Sequence, residues 1–337
     1  MINGHGDDLH QYQVGIKYNF SSNVYYKGCS ASLLKTLENS VSQIENYPSP
    51  SANELSHLAS KHFDLDENQF LFTNGATEAF YLIAQNYRGQ SATIVGPTFS
   101  EYEDACKINQ VKHQFITEAE VKSHQFNSDL AFICNPNNPN GAILKTKEIE
   151  QLLNQFPQTH FIIDEAYIEF TNAIESSMPL IASHNNLSIV RSLTKTFAIP
   201  GMRLGYLVSN SNFISELLAI KMPWTVNTMA IEAGKYIFEN YESLSFDISE
   251  LLKETEEFKA SIDAIDYLEV APGFTTYFLV KLNKGTASEL KKHLAESHQL
   301  LIRDATNFTT LQGEYIRLAV QSDFANKTLI RALKKWN

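Results

Sequence analysis

The chain has 337 residues, 43% hydrophobic and 19% charged, with 27 basic against 38 acidic residues for a formal charge of −11. This length predicts about two domains, the composition excludes a disordered chain, and an acidic balance without a dense Lys/Arg cluster excludes a nucleic-acid binder. No apolar run reaches the ~18 residues that cross a bilayer. Cys29, Cys106 and Cys134 have no metal-ligand spacing, so a reduced, cytoplasmic protein without a metal site is expected.

Read from the N-terminus, MINGHGDDLH is neither basic nor apolar, and no signal peptide is expected. Residues 1–45 show little periodicity before Ala31–Ile44, which predicts one helix. They are expected to form an N-terminal arm and helix packing on the small domain. Residues 46–240 alternate short apolar runs with amphipathic stretches. The runs are Phe70–Thr73, Ala92–Val95, Leu130–Cys134, Phe161–Asp164, Ser188–Arg191 and Gly205–Val208. They are apolar on both faces, like strands buried between two helical layers. Helical patterns at Glu78–Gln85, Glu101–Lys107 and Lys147–Asn154 lie between them. The alternation predicts an α/β fold, with a three-layer large domain around a mostly parallel mixed sheet. Helices at Phe213–Ile220, Met229–Glu239 and Ile248–Ser261 come next. Strands follow at Tyr267–Val270, Thr276–Lys281, Leu300–Arg303 and Tyr315–Ala319, with helices at Thr286–Ser297 and Asn326–Lys335. Residues 241–337 are therefore expected to form a smaller α+β C-terminal domain.

Four segments carry chemistry. In Arg191-Ser-Leu-Thr-Lys-Thr-Phe-Ala-Ile-Pro-Gly-Met-Arg-Leu-Gly205, Lys195 sits among the hydroxyls of Ser192, Thr194 and Thr196, with Arg203 eight residues on. A nucleophilic lysine must be held away from bulk solvent, and hydroxyls beside cations suit a phosphate; an exposed loop lysine would fit the segment equally well. In Phe161-Ile-Ile-Asp-Glu-Ala-Tyr167, Asp164 ends a strand where open α/β sheets place their ligand crevice. It suits a protonated ring nitrogen or, more commonly, a cap for the next turn. In Thr73-Asn-Gly-Ala-Thr-Glu-Ala79, a strand gives way to a helix. The N–H groups of Gly75, Ala76 and Thr77 could hold a phosphate or simply begin the helix. Asn135-Pro-Asn-Asn-Pro-Asn-Gly141 is a turn-rich loop at a strand end. Phe99, in the loop Pro97–Tyr102 after another strand, offers a flat apolar face.

In order and spacing these segments resemble the fold-type I enzymes that depend on pyridoxal phosphate, in the class I/II aminotransferase group, over nearly the whole chain. The resemblance implies that Lys195 links the cofactor covalently and that Asp164 partners its ring nitrogen. Tyr167 and Asn138 would bond the ring's phenolic oxygen, and Phe99 would stack on the ring. Gly75, Ala76, Thr77, Ser192, Thr194 and Arg203 would hold its phosphate. Tyr47, in Asn46-Tyr-Pro-Ser-Pro50, matches a tyrosine that reaches the neighbouring subunit's cofactor, which implies a homodimer with shared sites. Asn140 stands where the family's loop has Thr, and Phe99 where Tyr is common.

Within the group, two branches fit: threonine-phosphate decarboxylase of the cobamide pathway and histidinol-phosphate aminotransferase. Asn3-Gly-His-Gly-Asp7, Tyr18-Asn-Phe-Ser-Ser-Asn23 and Leu301-Ile-Arg-Asp-Ala-Thr-Asn-Phe308 resemble the decarboxylase branch. Asp7, Asp8 and Val24-Tyr-Tyr26 depart from it. The expected substrate is a small phosphorylated amino acid or amine. Arg317 would bind its carboxylate and Arg303 and His5 are candidates for its phosphate, since a guanidinium binds either oxyanion in a bidentate fork; Asn23 is a further substrate-binding candidate. A PLP-fold protein that has lost catalysis and serves as a binding module is the third reading, and the presence of Lys195, Asp164 and Arg203 speaks against it.

Overall fold

The computed structural model describes residues 6–12 and 15–336. A short strand β1 (Tyr18–Asn19) and helix α1 (Ala31–Ser40) open the chain, followed by α2 (Asn53–Phe63). Strand β2 (Phe70–Asn74) runs directly into α3 (Gly75–Asn86). Then come β3 (Ser91–Gly96), α4 (Glu101–Ile108), β4 (Lys112–Thr117), β5 (Leu130–Cys134), α5 (Thr146–Gln155) and β6 (His160–Asp164). Strand β7 (Leu187–Ser192), the short helix α6 (Leu193–Thr196), β8 (Leu204–Ser209), α7 (Ser211–Ile220) and α8 (Thr228–Glu239) complete this part.

Seven strands form one sheet in the order β2-β8-β7-β6-β5-β3-β4, in which β8 alone runs against its neighbours. Strands β5 to β8 are buried along their whole length, as expected where helices cover both faces. Side chains alternate between the two layers. Phe72, Ala131, Ile133 and Ile163 face the core built with α1, α2, α5 and α8. Leu71, Phe132, Cys134 and Ile162 face the one built with α3, α4 and α7.

Strands β9 (Leu268–Val270), β10 (Tyr277–Leu282), β12 (Arg303–Asp304) and β13 (Tyr315–Ala319) form a second, antiparallel sheet in the order β12-β13-β10-β9; β11 (Leu300–Leu301) lies outside it. Helices Ile248–Asp263, Ala287–His298 and Asp323–Leu333 pack on this sheet around a core of their own.

The expected arm divides. Strand β1 pairs in parallel with β11, so the chain's start does lie on the smaller body. Helix α1 does not: Leu33 and Leu37 bury in the core of the seven-stranded sheet beside α8. The single helix expected over Ala31–Ile44 stops at Ser40 and tightens into a 3-10 turn over Val41–Glu45. The run Leu300–Arg303 breaks at Ile302 because its two halves pair with different strands, β1 and β13. Several elements escape the sequence reading, among them the short β1 and α6. Strand β4 is an edge strand with exposed polar side chains, and α2 buries Ser56 and Ser60 beside Leu55 and Ala59, which blurs its apolar stripe.

Candidate active site

The C-terminal ends of β3, β5, β6 and β7 share one edge of the sheet, together with the β2–α3 junction. A cavity of about 370 Å³ opens there. Residues of the smaller body, Arg303 and Arg317 among them, and of the arm, Gly6, Asp7 and Asn23, complete its wall. Of the residues singled out above, Ala76, Thr77, Phe99, Asn138, Asp164, Tyr167, Ser192, Thr194, Lys195, Arg203, Arg303, Arg317 and Asn23 all line it. His5 lies outside the described residues. Tyr47 does not line its own chain's cavity; it is 88% exposed, its ring 5.5 Å from that of Trp224.

Lys195 rides on α6, one turn beyond β7, half-buried in the cavity wall. Burial, with the nearby Arg317 and Arg203, pushes its ammonium down to about 8, against the pull of Asp7 and Asp164. Asp164 ends β6 almost fully buried and is fixed from two sides. The Tyr102 hydroxyl donates to Oδ2 at 2.5 Å and the Ala166 N–H to Oδ1 at 2.9 Å. Burial raises this carboxyl to about 6, and the two hydrogen bonds restrain the rise. Tyr167 lies beside the Tyr277 ring at 4.9 Å, and burial raises its hydroxyl to about 12.

At the β2–α3 junction Gly75 takes φ +75°, and a Cβ there would run into the Arg203 guanidinium. Arg203 itself is left-handed, at φ 55°. A Cβ on Gly205 would stand 2.5 Å from the Ala76 nitrogen. Two glycines thus let a helix start, a strand and an arginine converge, leaving the first-turn N–H groups of α3 directed at one spot. The Ser192 and Thr194 hydroxyls are 2.8 Å apart, and both residues line the same cavity.

On the other side of the cavity, Arg317 donates through Nη1 to Asn138 Oδ1 and through Nη2 to the Ser21 carbonyl, each at 2.5 Å. Its Nε is buried with no hydrogen-bond partner among the described residues. Arg303 stands opposite Arg317 in the β12–β13 pairing. It donates to Asn307 Oδ1 at 2.7 Å and to the Asp304 carbonyl, and lies over the Phe308 ring at 5.2 Å. Burial and Arg317 lower it to about 10, so it stays charged at neutral pH. Asn23 is buried beside Tyr167, and neither of its amide atoms meets full hydrogen-bond geometry among the described residues.

The loop after β5 is held from outside the cavity. Asn140 donates to both oxygens of Glu118, at 3.1 and 2.9 Å, and Asn137 donates to the same carboxylate at 2.8 Å. Asn140 thus takes up the loop-anchoring place through its amide, and Asn138 is left facing Arg317. Tyr102 and Glu118, which hold Asp164 and the loop after β5 from behind the cavity wall, are supporting residues that sequence reasoning missed. Tyr102 lies on the apolar stripe of α4, 62 positions from Asp164, and nothing local marks its hydroxyl.

The set fits a flat, phosphorylated pyridine aldehyde. It offers a dianion cup, an amine with weakened charge, a buried carboxyl for a ring nitrogen and the Phe99 ring in the wall.

A model of the aminotransferase class I and II family matches residues 15–335. The crystal structure of L-threonine-O-3-phosphate decarboxylase from Porphyromonas gingivalis is 38% identical and superposes with a TM-score of 0.92, over 94% of this chain and 98% of that one. The threonine-phosphate decarboxylase of Salmonella typhimurium is 27% identical over 94% of this chain and 90% of its own length. The histidinol-phosphate aminotransferase structure from Clostridium acetobutylicum is 27% identical with a TM-score of 0.84, over 94% and 97% of the two chains.

Proposed function

Since this chain belongs to the aminotransferase class I and II family, we propose that it is a pyridoxal-phosphate-dependent lyase that releases carbon dioxide from L-threonine O-3-phosphate and leaves aminopropanol phosphate. The observation that carries the reading is the pair of buried arginines facing each other across β12 and β13. One substrate with a carboxylate and a phosphate would engage both. The Arg303-Asp-Ala-Thr-Asn-Phe308 segment gains a physical sense here, because Asn307 and Phe308 are what hold the Arg303 guanidinium. The likeness to two threonine-phosphate decarboxylases points the same way.

In this reading Lys195 holds the cofactor, Asp164 its ring nitrogen, Tyr167 and Asn138 its phenolic oxygen, and Phe99 its ring face. Gly75, Ala76, Thr77, Ser192, Thr194 and Arg203 hold its phosphate. Bound pyridoxal phosphate supplies an electron sink for the pair left when the carboxylate bond breaks. Arg317 orients the carboxylate, Arg303 grips the substrate phosphate, and Asn23 is a further substrate contact. Lys195 Nζ, with its lowered affinity for protons, returns a proton to the α carbon. The cofactor-binding unit is taken as residues 46–240 and the smaller one as 241–337. Tyr47 serves the cofactor phosphate of a second copy, in a cytoplasmic homodimer. No helix among the described residues is long and apolar enough to cross a membrane.

The test is incubation with O-phosphothreonine, following carbon dioxide and the need for a keto acid. Carbon dioxide released without keto acid is expected. Arg303→Ala should lose roughly ten- to hundred-fold in kcat/KM for phosphothreonine, the worth of one charge-assisted bond, and far less for threonine. Conversion of histidinol phosphate only when keto acid is supplied, with no carbon dioxide from phosphothreonine, would establish the aminotransferase reading instead.

A further inference from the structure

Behind the cavity, on the far side of the two turns that carry Asp164 and Lys195, lies a buried charge cluster. Arg191 Nη1 donates to Glu169 Oε1 at 2.6 Å, and its Nε stands 3.1 Å from Glu165 Oε2. The Arg191 side chain is 8% exposed and that of Glu165 not at all. Glu165 also accepts from the Ser176 hydroxyl at 2.7 Å and the Ser177 N–H at 2.6 Å. Glu169 accepts from the Thr196 hydroxyl at 3.2 Å and the Tyr241 hydroxyl at 3.1 Å. Burial works against the Arg191 charge, but Glu169 and Glu165 more than offset it.

The position of each member matters more than the energy of the cluster. Glu165 follows Asp164, Glu169 stands two residues beyond Tyr167, Arg191 precedes Ser192, and Thr196 follows Lys195. Asp164, Ser192 and Lys195 therefore each have a chain neighbour in one cluster, and Tyr167 lies two residues from it. Buried ion pairs add little net stability over apolar residues of the same shape. What a guanidinium between two carboxylates does supply is direction: it donates one hydrogen bond to Glu169 and holds Glu165 in ion-pair contact, its Nε making no hydrogen bond among the described residues.

We infer that Arg191, Glu165 and Glu169 are positioning residues, a clamp that locks the Asp164–Tyr167 turn to the Ser192–Lys195 turn and so sets the distance between the cofactor-linking lysine and the ring-nitrogen carboxylate. The inference rests on the cofactor roles proposed for Lys195 and Asp164, not on the substrate.

The experiment uses the holoprotein and no substrate. Glu169→Gln keeps the shape and an acceptor for Thr196 and Tyr241 while removing the ion pair; Arg191→Lys keeps the charge without the fork; Arg191→Met removes both. Cofactor loss on dilution and the pH at which the visible band shifts are read beside thermal unfolding. Glu169→Gln and Arg191→Met should shed cofactor about ten-fold faster. Their band midpoint should move by about one pH unit from the parent's, because the spacing of the linked Lys195 from the Asp164 carboxylate changes. Arg191→Lys should fall between them and the parent. Folded variants with parental cofactor retention and an unmoved midpoint would overturn the clamp, even with a lowered unfolding temperature. If Arg191→Met does not fold, Glu169→Gln decides alone. Carbon dioxide release by the parent is scored separately, so a failed decarboxylase reading leaves this result standing.

Discussion

Lys195 can act as a nucleophile near neutral pH because its surroundings disfavour its charge. Only the neutral amine attacks a carbonyl, and burial beside Arg317 and Arg203 brings the ammonium down to about 8. Cofactor uptake by stripped protein should therefore reach half its maximal rate near pH 8, about two units below an ordinary lysine, and Lys195→Ala should show no borohydride-reducible link. Asp164 is tuned the other way. Burial favours its neutral form, and the Tyr102 hydroxyl is the strongest bond opposing that. Tyr102→Phe removes a donor to the ionised form, so the carboxyl rises above about 6. The acid limb of the activity profile should move to higher pH, and cofactor retention should weaken roughly ten-fold. An unchanged profile would mean that Tyr102 only packs, stacked on Phe132 as it is at 5.3 Å.

Among the elements, the β2–α3 junction depends most on the absence of side chains. Gly205 on β8 brings its Cα against the first turn of α3; a Cβ would stand 2.5 Å from the Ala76 nitrogen and 2.7 Å from the Gly75 carbonyl carbon. Neither backbone can yield cheaply, so Gly205→Ala should push the helix start off the strand, costing about 1–3 kcal/mol. It should weaken binding of free pyridoxal phosphate more than ten-fold, measured by titration of the visible band. Wild-type affinity in that variant would show that the helix start does not form the phosphate cup. This junction was legible from sequence, as were Asp164, Lys195 and the Asn138 loop. Each joins a strand end to turn residues within about ten positions, and local pattern reports such joins. What was not legible joins residues far apart. Glu118 reaches Asn140 across 22 positions, and Tyr102 reaches Asp164 across 62. Helix α1 looked like part of the arm, but Leu33 and Leu37 find their partners in α8, some two hundred residues later.

For the whole molecule, one chain leaves several large apolar side chains exposed. Tyr47, Met222 and Trp224 are 88%, 71% and 48% exposed. Trp224 is anchored to the segment after Tyr47: its N–H groups bond the carbonyls of Pro48 and Pro50, at 3.1 and 2.8 Å. Val41 and Ile44, both at least half exposed, extend the surface along the turn before Tyr47. Exposed apolar side chains of this kind suit an interface, and in the proposed homodimer a second copy would cover them. Two variants separate assembly from contact. Trp224→Glu places an unpaired charge in the covered surface, which is costly, so sedimentation should give the mass of one chain and activity should fall with it. Tyr47→Phe keeps the apolar surface and removes one hydroxyl. It should sediment as a dimer and lose roughly three- to ten-fold in cofactor affinity, the worth of one hydrogen bond. A fully active monomer in the first case, or unaltered affinity in the second, would place Tyr47 outside the site.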